Sequence, residues 1–214
     1  MERLDAIELL EDPALPGEVV AQAYRDLART QRLLGNTSAI LRRLRARNIR
    51  KVLDIGCGQG ALLERIRREL GVEVVGFDLR PAPAGSSVPI LTGNAAVDRL
   101  PQADVALAVC LVHHLGEAEL VAMIRNVSQS CRRLIVLDLV RHWIPLALFR
   151  LFLNPLLHPI NAADGITSIR RSYTIGELRK IVEEAVMGTN AHIEHTVAPF
   201  YIRQVVEISW RSFP

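Results

Sequence analysis

Apolar residues recur at a helical spacing over the first part of the chain. Val20, Tyr24, Leu27 and Leu34 are separated by four, three and seven residues, which places them on one face of a helix. The proline and glycine at 16–17 and the glycine at 35 are typical of the two ends of such a helix. A second helix is predicted from Ile40 onward, so residues 1–50 are expected to form a helical cap.

From residue 51 the pattern changes to short β-branched runs that alternate with helical ones. Strands are predicted at 51–55, 72–77, 88–91, 104–110 and 133–139, and helices at 60–70 and 117–131. This alternation predicts an α/β fold with a doubly wound, mostly parallel sheet and helices on both faces. Continuous apolar runs such as VALAV and LIVL indicate strands that are buried on both sides.

The last third of the chain departs from the alternation. Residues 141–172 are predicted to be an inserted lid, made of an apolar helix at 143–157 and a polar loop at 161–173. Thr174 and Glu177 have the spacing of a capping box, which predicts a helix over 175–186. Strands at 191–197 and 203–210 then form a hairpin, so residues 173–214 complete a seven-stranded sheet with an antiparallel strand at or near its edge.

Composition narrows the class of protein. Half of the 214 residues are hydrophobic, which excludes intrinsic disorder. The small, odd number of cysteines (Cys57, Cys110 and Cys131) argues against a disulfide scaffold and favours a reducing, cytoplasmic compartment. The N-terminus lacks the basic and apolar regions of a signal peptide, and the apolar stretch at 143–157 is shorter than the roughly 20 residues that span a bilayer.

The net charge of +3 is too small for a dedicated nucleic-acid binder. A basic run does follow the first helices, and it is interpreted as a solvated helix face, with contact to RNA or anionic lipid as the alternative. Its members are Arg42, Arg43, Arg45, Arg47, Arg50 and Lys51.

The most specific motif is a glycine loop between the first strand and its helix. Asp54, Gly56, Gly58 and Gly60 lie in the run VLDIGCGQG, and Asp78 follows 22 residues beyond Gly56. Glycines there let a ligand approach the backbone, and an acid at the next strand's end suits ribose hydroxyls. This pattern alone leaves a nicotinamide dinucleotide and S-adenosylmethionine open, but Asp54 would repel a pyrophosphate and suits an ammonium group.

With these residues and the terminal hairpin, the sequence resembles the class I S-adenosylmethionine-dependent methyltransferases, whose motif is D-x-G-x-G-x-G. The resemblance covers residues 50–140 well and implies a Rossmann-like fold and S-adenosylmethionine as cofactor. Asn94 stands where the family usually has an acid that holds the adenine, and Cys110 would lie beside the methionine portion. The cofactor-binding residues that the resemblance implies are Asp54, Gly56, Cys57, Gly58, Gly60, Asp78, Leu79, Asn94, Ala95 and Cys110.

A histidine pair follows the fourth strand. His113 and His114, in VHHL, resemble the H-H-L of methyltransferases that act on small molecules, and an imidazole can take a proton from a phenol or enol. His114 is the preferred candidate base; the alternative is that one histidine caps the next helix and the other packs under the lid. No metal is predicted, because no third ligand has an evident spacing to this pair.

The lid carries the candidate acceptor residues. Residues 164–174 resemble the D-G-x-x-S-x-R-R-x-Y-T stretch of a bacterial subgroup that is associated with polyketide or terpenoid natural products. Its arginines and tyrosine either close over the acceptor or pack the lid, and the apolar helix favours a hydrophobic acceptor or a surface that touches a membrane. The predicted substrate-binding residues are Tyr24, Trp143, Arg170, Arg171 and Tyr173.

The predicted activity is methyl transfer from S-adenosylmethionine to oxygen or carbon of a hydrophobic small molecule, of phenol, enol or quinol type. Segments 1–35 and 141–172 are expected to form a mobile apolar cover over the ends of strands one and four. A nicotinamide-dependent oxidoreductase and a nucleic-acid methyltransferase are the alternatives, although few aromatic residues are present for base stacking.

Overall fold

The computed structural model describes residues 1–12, 14–45 and 48–210, so Arg47 of the basic run lies outside the described residues. The strands are β1 Lys51–Ile55, β2 Glu73–Asp78, β3 Ile90–Thr92, β4 Val105–Val109, β5 Arg133–Asp138, β6 Ala191–Val197 and β7 Gln204–Trp210. The α-helices are α1 Gly17–Leu33, α2 Asn36–Arg45, α3 Ala61–Leu70, α4 Glu117–Ser130, α5 Trp143–Leu148, α6 Pro159–Arg171 and α7 Ile175–Ala185.

The strands form one seven-stranded sheet in the order β3-β2-β1-β4-β5-β7-β6. Pairing is parallel from β3 through β5, and β7 runs antiparallel to both β5 and β6. This is the doubly wound, Rossmann-like sheet that the sequence predicts. The strand order reverses at β1 and β4, and open α/β sheets bind their ligands at the carboxyl ends of the strands beside such a switch point.

Two apolar layers cover the sheet. One joins β1, β4 and β5 to α4 and α7 through residues such as Leu120, Ile124 and Leu178, which are fully buried. The other packs α2 and α3 on the opposite face, with Ile40 and Leu63 inside it. Since both faces of the central strands are covered, the strands are apolar throughout and only their ends are free to carry polar chemistry.

The polar loop predicted at 161–173 is wrong, because most of this segment is helix α6. Pro159 occupies its first turn, where the missing backbone N–H costs nothing. Ile169 is buried, and Gly165 packs directly against the Phe149 ring. The Asp164 carboxylate accepts hydrogen bonds from the backbone N–H groups of Leu9 and Leu10, at 2.7 and 2.9 Å. These tertiary contacts support a helix whose sequence is locally polar.

The apolar helix predicted over 143–157 is interrupted. Helix α5 ends at Leu148 and is followed by a π-helical turn at Phe149–Leu153 and a 3₁₀ turn at Asn154–Leu156. Pro155 removes a backbone donor there, which prevents a continuous α-helix. Trp143, Phe152 and Leu156 are exposed. Among the described residues, no helix is long and apolar enough to cross a membrane.

Residues 1–10 form an N-terminal strap that lies across the end of α6. The Arg3 guanidinium donates to the carbonyl oxygens of Arg171 and Leu115, at 2.6 and 2.8 Å, and to the Tyr173 hydroxyl at 3.0 Å. The backbone N–H of Leu4 donates to the carbonyl oxygen of Arg170 at 3.1 Å. The strap thereby brings a segment far away in sequence next to the residues that follow β4.

Candidate active site

A cavity of about 910 Å³ opens at the carboxyl ends of β1, β2 and β4. Its walls come from the glycine loop after β1, the residues after β4, helix α1 and the N-terminal strap. This volume is at the upper end of the range of small-molecule sites. Residues of helix α1 line the cavity, whereas Trp143 and the turns after α5 do not.

The glycine loop has the backbone geometry that a close ligand requires. Gly56 and Gly58 have φ angles of 69° and 53°, values that other residues rarely adopt. A Cβ atom at Gly56 would lie 2.6 Å from Leu111, and one at Gly58 would lie 3.1 Å from the Tyr24 ring. A side chain at either position would be strained by the positive φ angle and would have to displace Leu111 or Tyr24, so the loop presents bare backbone to the cavity.

Asp78 holds this loop in place. One carboxylate oxygen accepts a hydrogen bond from the Gly58 N–H at 2.8 Å, and the other accepts from the Arg80 N–H at 2.9 Å. The same side chain lines the cavity. Each carboxylate oxygen has a further lone pair. Asp78 can therefore hold the loop and still accept a hydrogen bond from a ligand hydroxyl group.

Asp54 is a buried acid at the carboxyl end of β1. The residue is only 3% exposed and borders the cavity. Burial, followed by the negative charge of Asp78, raises the pKa of its carboxyl group to about 8. A positively charged ligand group in the cavity would reverse this effect, because an opposite charge favours the ionised form.

The structure places all but one of the remaining predicted cofactor residues on the cavity wall. Cys57, Leu79, Asn94, Ala95 and Cys110 line the cavity. Gly60 does not; it precedes α3, and a Cβ atom there would meet Val88.

Two of these residues have contacts that bear on their predicted roles. The Asn94 side-chain oxygen accepts from the Ala96 N–H at 2.9 Å, as expected for a turn asparagine. Cys110 has a φ of 52° and its sulfur accepts a hydrogen bond from Gln31 at 3.0 Å. Burial raises the pKa of the Cys110 thiol, which is consistent with a packing role and opposed to a nucleophile.

The two histidines occupy different environments. His114 lines the cavity, whereas His113 is 3% exposed and lies behind it. The Nδ1 atom of His113 lies 2.7 Å from one carboxylate oxygen of Asp138. The other oxygen of that carboxylate accepts a hydrogen bond from the His113 backbone N–H at 3.1 Å. On its other side, the His113 Nε2 atom lies 3.6 Å from the Glu8 carboxylate. His114 is partly exposed at the cavity wall and stays the candidate base.

Charges around His113 decide its protonation. Burial alone lowers the pKa of an imidazole, but the charge and hydrogen bond of Asp138, together with the nearby Glu8 carboxylate, outweigh burial and raise the pKa of His113 to about 9. Burial acts to raise the pKa of Glu8, and its interactions with His113 and His114 reverse this, so that the pKa of Glu8 lies below its usual value. The raised pKa favours the protonated form of His113, so His114 is the better placed of the two to accept a proton from a ligand.

The predicted acceptor residues are also divided. Tyr24 and Arg171 line the cavity. Tyr173 is buried and donates its hydroxyl hydrogen to the Leu115 carbonyl oxygen at 2.8 Å, while its ring stacks under Arg3. Trp143 and Arg170 do not reach the cavity wall. The geometry thus supports lid packing for Tyr173 and gives Trp143 and Arg170 no contact with a ligand in this cavity.

Sequence reasoning missed three residues of the site, namely Glu8, Gln31 and Asp138. Glu8 and Gln31 carry no motif and reach the site only through the tertiary fold. Asp138 had a usable signal, because it is an acid at the carboxyl end of a buried strand beside the switch point.

Comparisons with known proteins agree with this geometry. Residues 52–133 match the family model described as a methyltransferase domain. No curated protein matches the chain. The solved plantazolicin methyltransferase BpumL, in complex with SAH, aligns with a TM-score of 0.67 and 14% identity over 94% of this chain and 92% of that chain.

Two further solved structures share the fold. Human N-acetylserotonin methyltransferase, in complex with SAM, aligns with a TM-score of 0.58 and 15% identity over 88% of this chain and 55% of that chain. The methyltransferase domain of bacterial CtHen1-C aligns with a TM-score of 0.60 and 16% identity over 86% of this chain and all of that one, at 100%. Residues 52–133 thus match a methyltransferase domain, and the chain has the fold of these solved methyltransferases.

Proposed function

We propose that this chain is an S-adenosylmethionine-dependent methyltransferase that transfers the methyl group to oxygen or carbon of a hydrophobic small molecule of phenol, enol or quinol type. The observation that carries the proposal is that one cavity contains both the glycine loop with its acids and the His114 side chain. Cofactor and acceptor can then meet in a single enclosed volume, as direct transfer between them requires.

The residues around the glycine loop fit the cofactor. Burial and the charge of Asp78 raise the pKa of the Asp54 carboxyl group. The ammonium group of the cofactor would supply the positive charge that stabilises its ionised form. Asp78 has lone pairs available for ribose hydroxyls, and Asn94 and Ala95 lie on the wall where an adenine would be held. When bound, S-adenosylmethionine supplies a methyl group on a positively charged sulfur, which is the electrophile of the reaction.

The acceptor class follows from the rest of the lining. Leu27, Leu111 and Leu115 contribute apolar surface to the cavity, and the buried side chains of Ile40 and Met123 lie behind its wall. Burying an unpaired charge against such surface costs several kcal/mol, so neutral, weakly acidic hydroxyl groups on apolar skeletons are favoured over amino acids and nucleotides.

Removal of the acceptor's hydroxyl proton is assigned to His114. This imidazole borders the cavity, and its neighbour His113 is held by Asp138. Arg171, at the end of α6, also lines the cavity and is the candidate for orienting the polar edge of the acceptor. General-base catalysis of this kind contributes about 10²–10⁴-fold to the rate, and alignment with exclusion of water supplies the remainder.

A binding and transfer experiment tests the proposal. Calorimetric titration should show micromolar binding of the demethylated cofactor, S-adenosylhomocysteine, and no binding of NADH. A methyl-transfer screen that includes phenols, quinols, enols, amino acids and short RNA should then return products from the first three classes. Transfer to RNA or to an amino acid would refute the acceptor class while leaving the methyltransferase assignment intact.

A further inference from the structure

Glu8, His113 and His114 form a cluster of potential metal ligands that the methyl donor does not require. The carboxylate comes from the N-terminal strap, and the two imidazoles come from the 3₁₀ turn at Val112–His114 after β4. One oxygen or nitrogen atom from each side chain lies within 4.8 Å of the other two. A carboxylate with two imidazoles is a common donor set for first-row divalent ions.

The distances within the cluster suit a shared ion better than direct hydrogen bonds. The Glu8 carboxylate oxygen lies 3.6 Å from His113 Nε2 and 3.9 Å from His114 Nε2. Both separations are too long for a good hydrogen bond. Two ligands held by one tetrahedral ion at 2.0–2.1 Å are about 3.3 Å apart. The Glu8 oxygen would therefore need to move closer to each imidazole by only a few tenths of an ångström.

A second layer of contacts aims the ligand atoms. Asp138 lies 2.7 Å from His113 Nδ1, which leaves Nε2 directed at Glu8. Asp138 itself accepts from the Leu139 N–H at 2.7 Å. On the other side, the Ser168 hydroxyl donates to Glu8 at 2.6 Å. A carboxylate behind a histidine and a hydroxyl behind a glutamate are the supports that fix metal ligands in known sites.

Charge also favours a cation here. Glu8 and Asp138 are 8% and 1% exposed, so two carboxylates are buried on either side of one imidazole ring. A divalent ion between Glu8 and the histidines would take the place of the His113 Nε2 proton and neutralise both acids. Glu8 and His114 line the cavity, so such an ion would have its open coordination positions toward the acceptor.

We propose that Glu8, His113 and His114 bind a divalent first-row transition-metal ion of the Zn²⁺ type on the acceptor side of the cavity. The ion would bind the hydroxyl oxygen of the acceptor and stabilise its oxyanion, with the released proton passing to water. His114 would then act as a ligand to the ion. Binding of the ion is independent of the proposed function, whereas its role in catalysis rests on that function.

Cobalt substitution tests binding without an activity assay. The protein is dialysed against a chelator and titrated with Co²⁺, whose visible d–d absorption reports imidazole and carboxylate coordination, and Zn²⁺ is then added as a competitor. We expect saturation at one ion per chain, displacement by Zn²⁺, and at least a tenfold weaker affinity in Glu8→Gln and His114→Ala. Asp138→Asn should weaken binding about 10–100-fold through loss of the second layer.

A matched control is available at His192, which is exposed on β6 with Glu194 at 3.4 Å. His192→Ala should leave the Co²⁺ titration unchanged. Circular dichroism and S-adenosylhomocysteine affinity confirm that each variant is folded, and they keep the cofactor site separate from the ion site. Absence of saturable absorption in the native chain, or an unchanged titration in both Glu8→Gln and His114→Ala, would overturn the proposal and leave a proton as the link between Glu8 and His113.

Discussion

Replacement of Asp54 by asparagine should stabilise the cofactor-free chain at alkaline pH and weaken cofactor binding. Asp54 is 3% exposed at the end of β1, and burial followed by the charge of Asp78 raises its pKa to about 8. Asparagine has nearly the same shape and carries no charge. The substitution therefore removes the cost of a buried carboxylate and, with it, the group proposed to face the ammonium of the ligand.

The sign and size of the effect follow from proton linkage. The unfolded chain releases the Asp54 proton near the ordinary pKa of 3.8, whereas the folded chain retains it up to about pH 8. Between these values the folded state holds one more proton, so the native chain loses stability as pH rises. At about 1.4 kcal/mol per pH unit, the range from pH 5 to pH 8 corresponds to at most about 4 kcal/mol, and relaxation of the site reduces this to about 1–3 kcal/mol.

Paired thermal unfolding curves measure this difference. The melting temperature of Asp54→Asn relative to the native chain should rise by at least about 2–4 °C between pH 5 and pH 9, given about 2–4 °C per kcal/mol at this size. Glu73→Gln, at the exposed first position of β2, removes a charge without burial and should follow the native chain. Parallel curves for Asp54→Asn and the native chain would refute the reasoning, since Asp54 would then be ionised throughout.

Calorimetry on the same variant measures the functional consequence. Hydrogen bonds to charged groups contribute about 1.5–3 kcal/mol, so S-adenosylhomocysteine should bind Asp54→Asn about 10–100-fold more weakly at neutral pH. Increased stability together with decreased affinity is the combination expected for a residue that is kept for binding. A variant that binds normally would show that the ammonium group is held elsewhere.

Three further substitutions have defined outcomes. Asp78→Ala removes the acceptor of the Gly58 N–H and should weaken S-adenosylhomocysteine binding by about 1–3 kcal/mol in calorimetry; unchanged affinity would mean that the ribose has other partners. His114→Ala should lower methyl-transfer turnover about 10²-fold with cofactor affinity unchanged, and a loss no larger than that of His192→Ala would remove His114 from catalysis. Asp164→Ala leaves the N–H groups of Leu9 and Leu10 without their acceptor and should speed cleavage of the strap in limited proteolysis; an unchanged cleavage rate would show that its remaining contacts are sufficient to hold it.

The sequence by itself determined the sheet and the cofactor loop of this protein. The strands of the core are apolar runs buried on both faces, and a helix separates most of them, so periodicity and the right-handed crossover leave few arrangements. The glycine loop is equally local, because the backbone angles at Gly56 and Gly58 and the acid at the end of β2 belong to one βαβ unit. Signals of this kind involve residues that are close in the chain, so the sequence alone is enough to predict the structure that they form.

The acceptor side was decided only by the tertiary structure. Glu8 reaches His113 across more than a hundred residues because Arg3 is bound by the carbonyl oxygens of Leu115 and Arg171. Helix α6 is polar in sequence and is helical because the strap and the Phe149 ring pack against it. Tyr173 matched a motif, yet its hydroxyl is bound by backbone. Motifs and periodicity report the local preference of a residue. The contacts that place these side chains form only when distant segments pack together. Several such contacts must form together, because they have to offset the entropy lost when both segments become ordered.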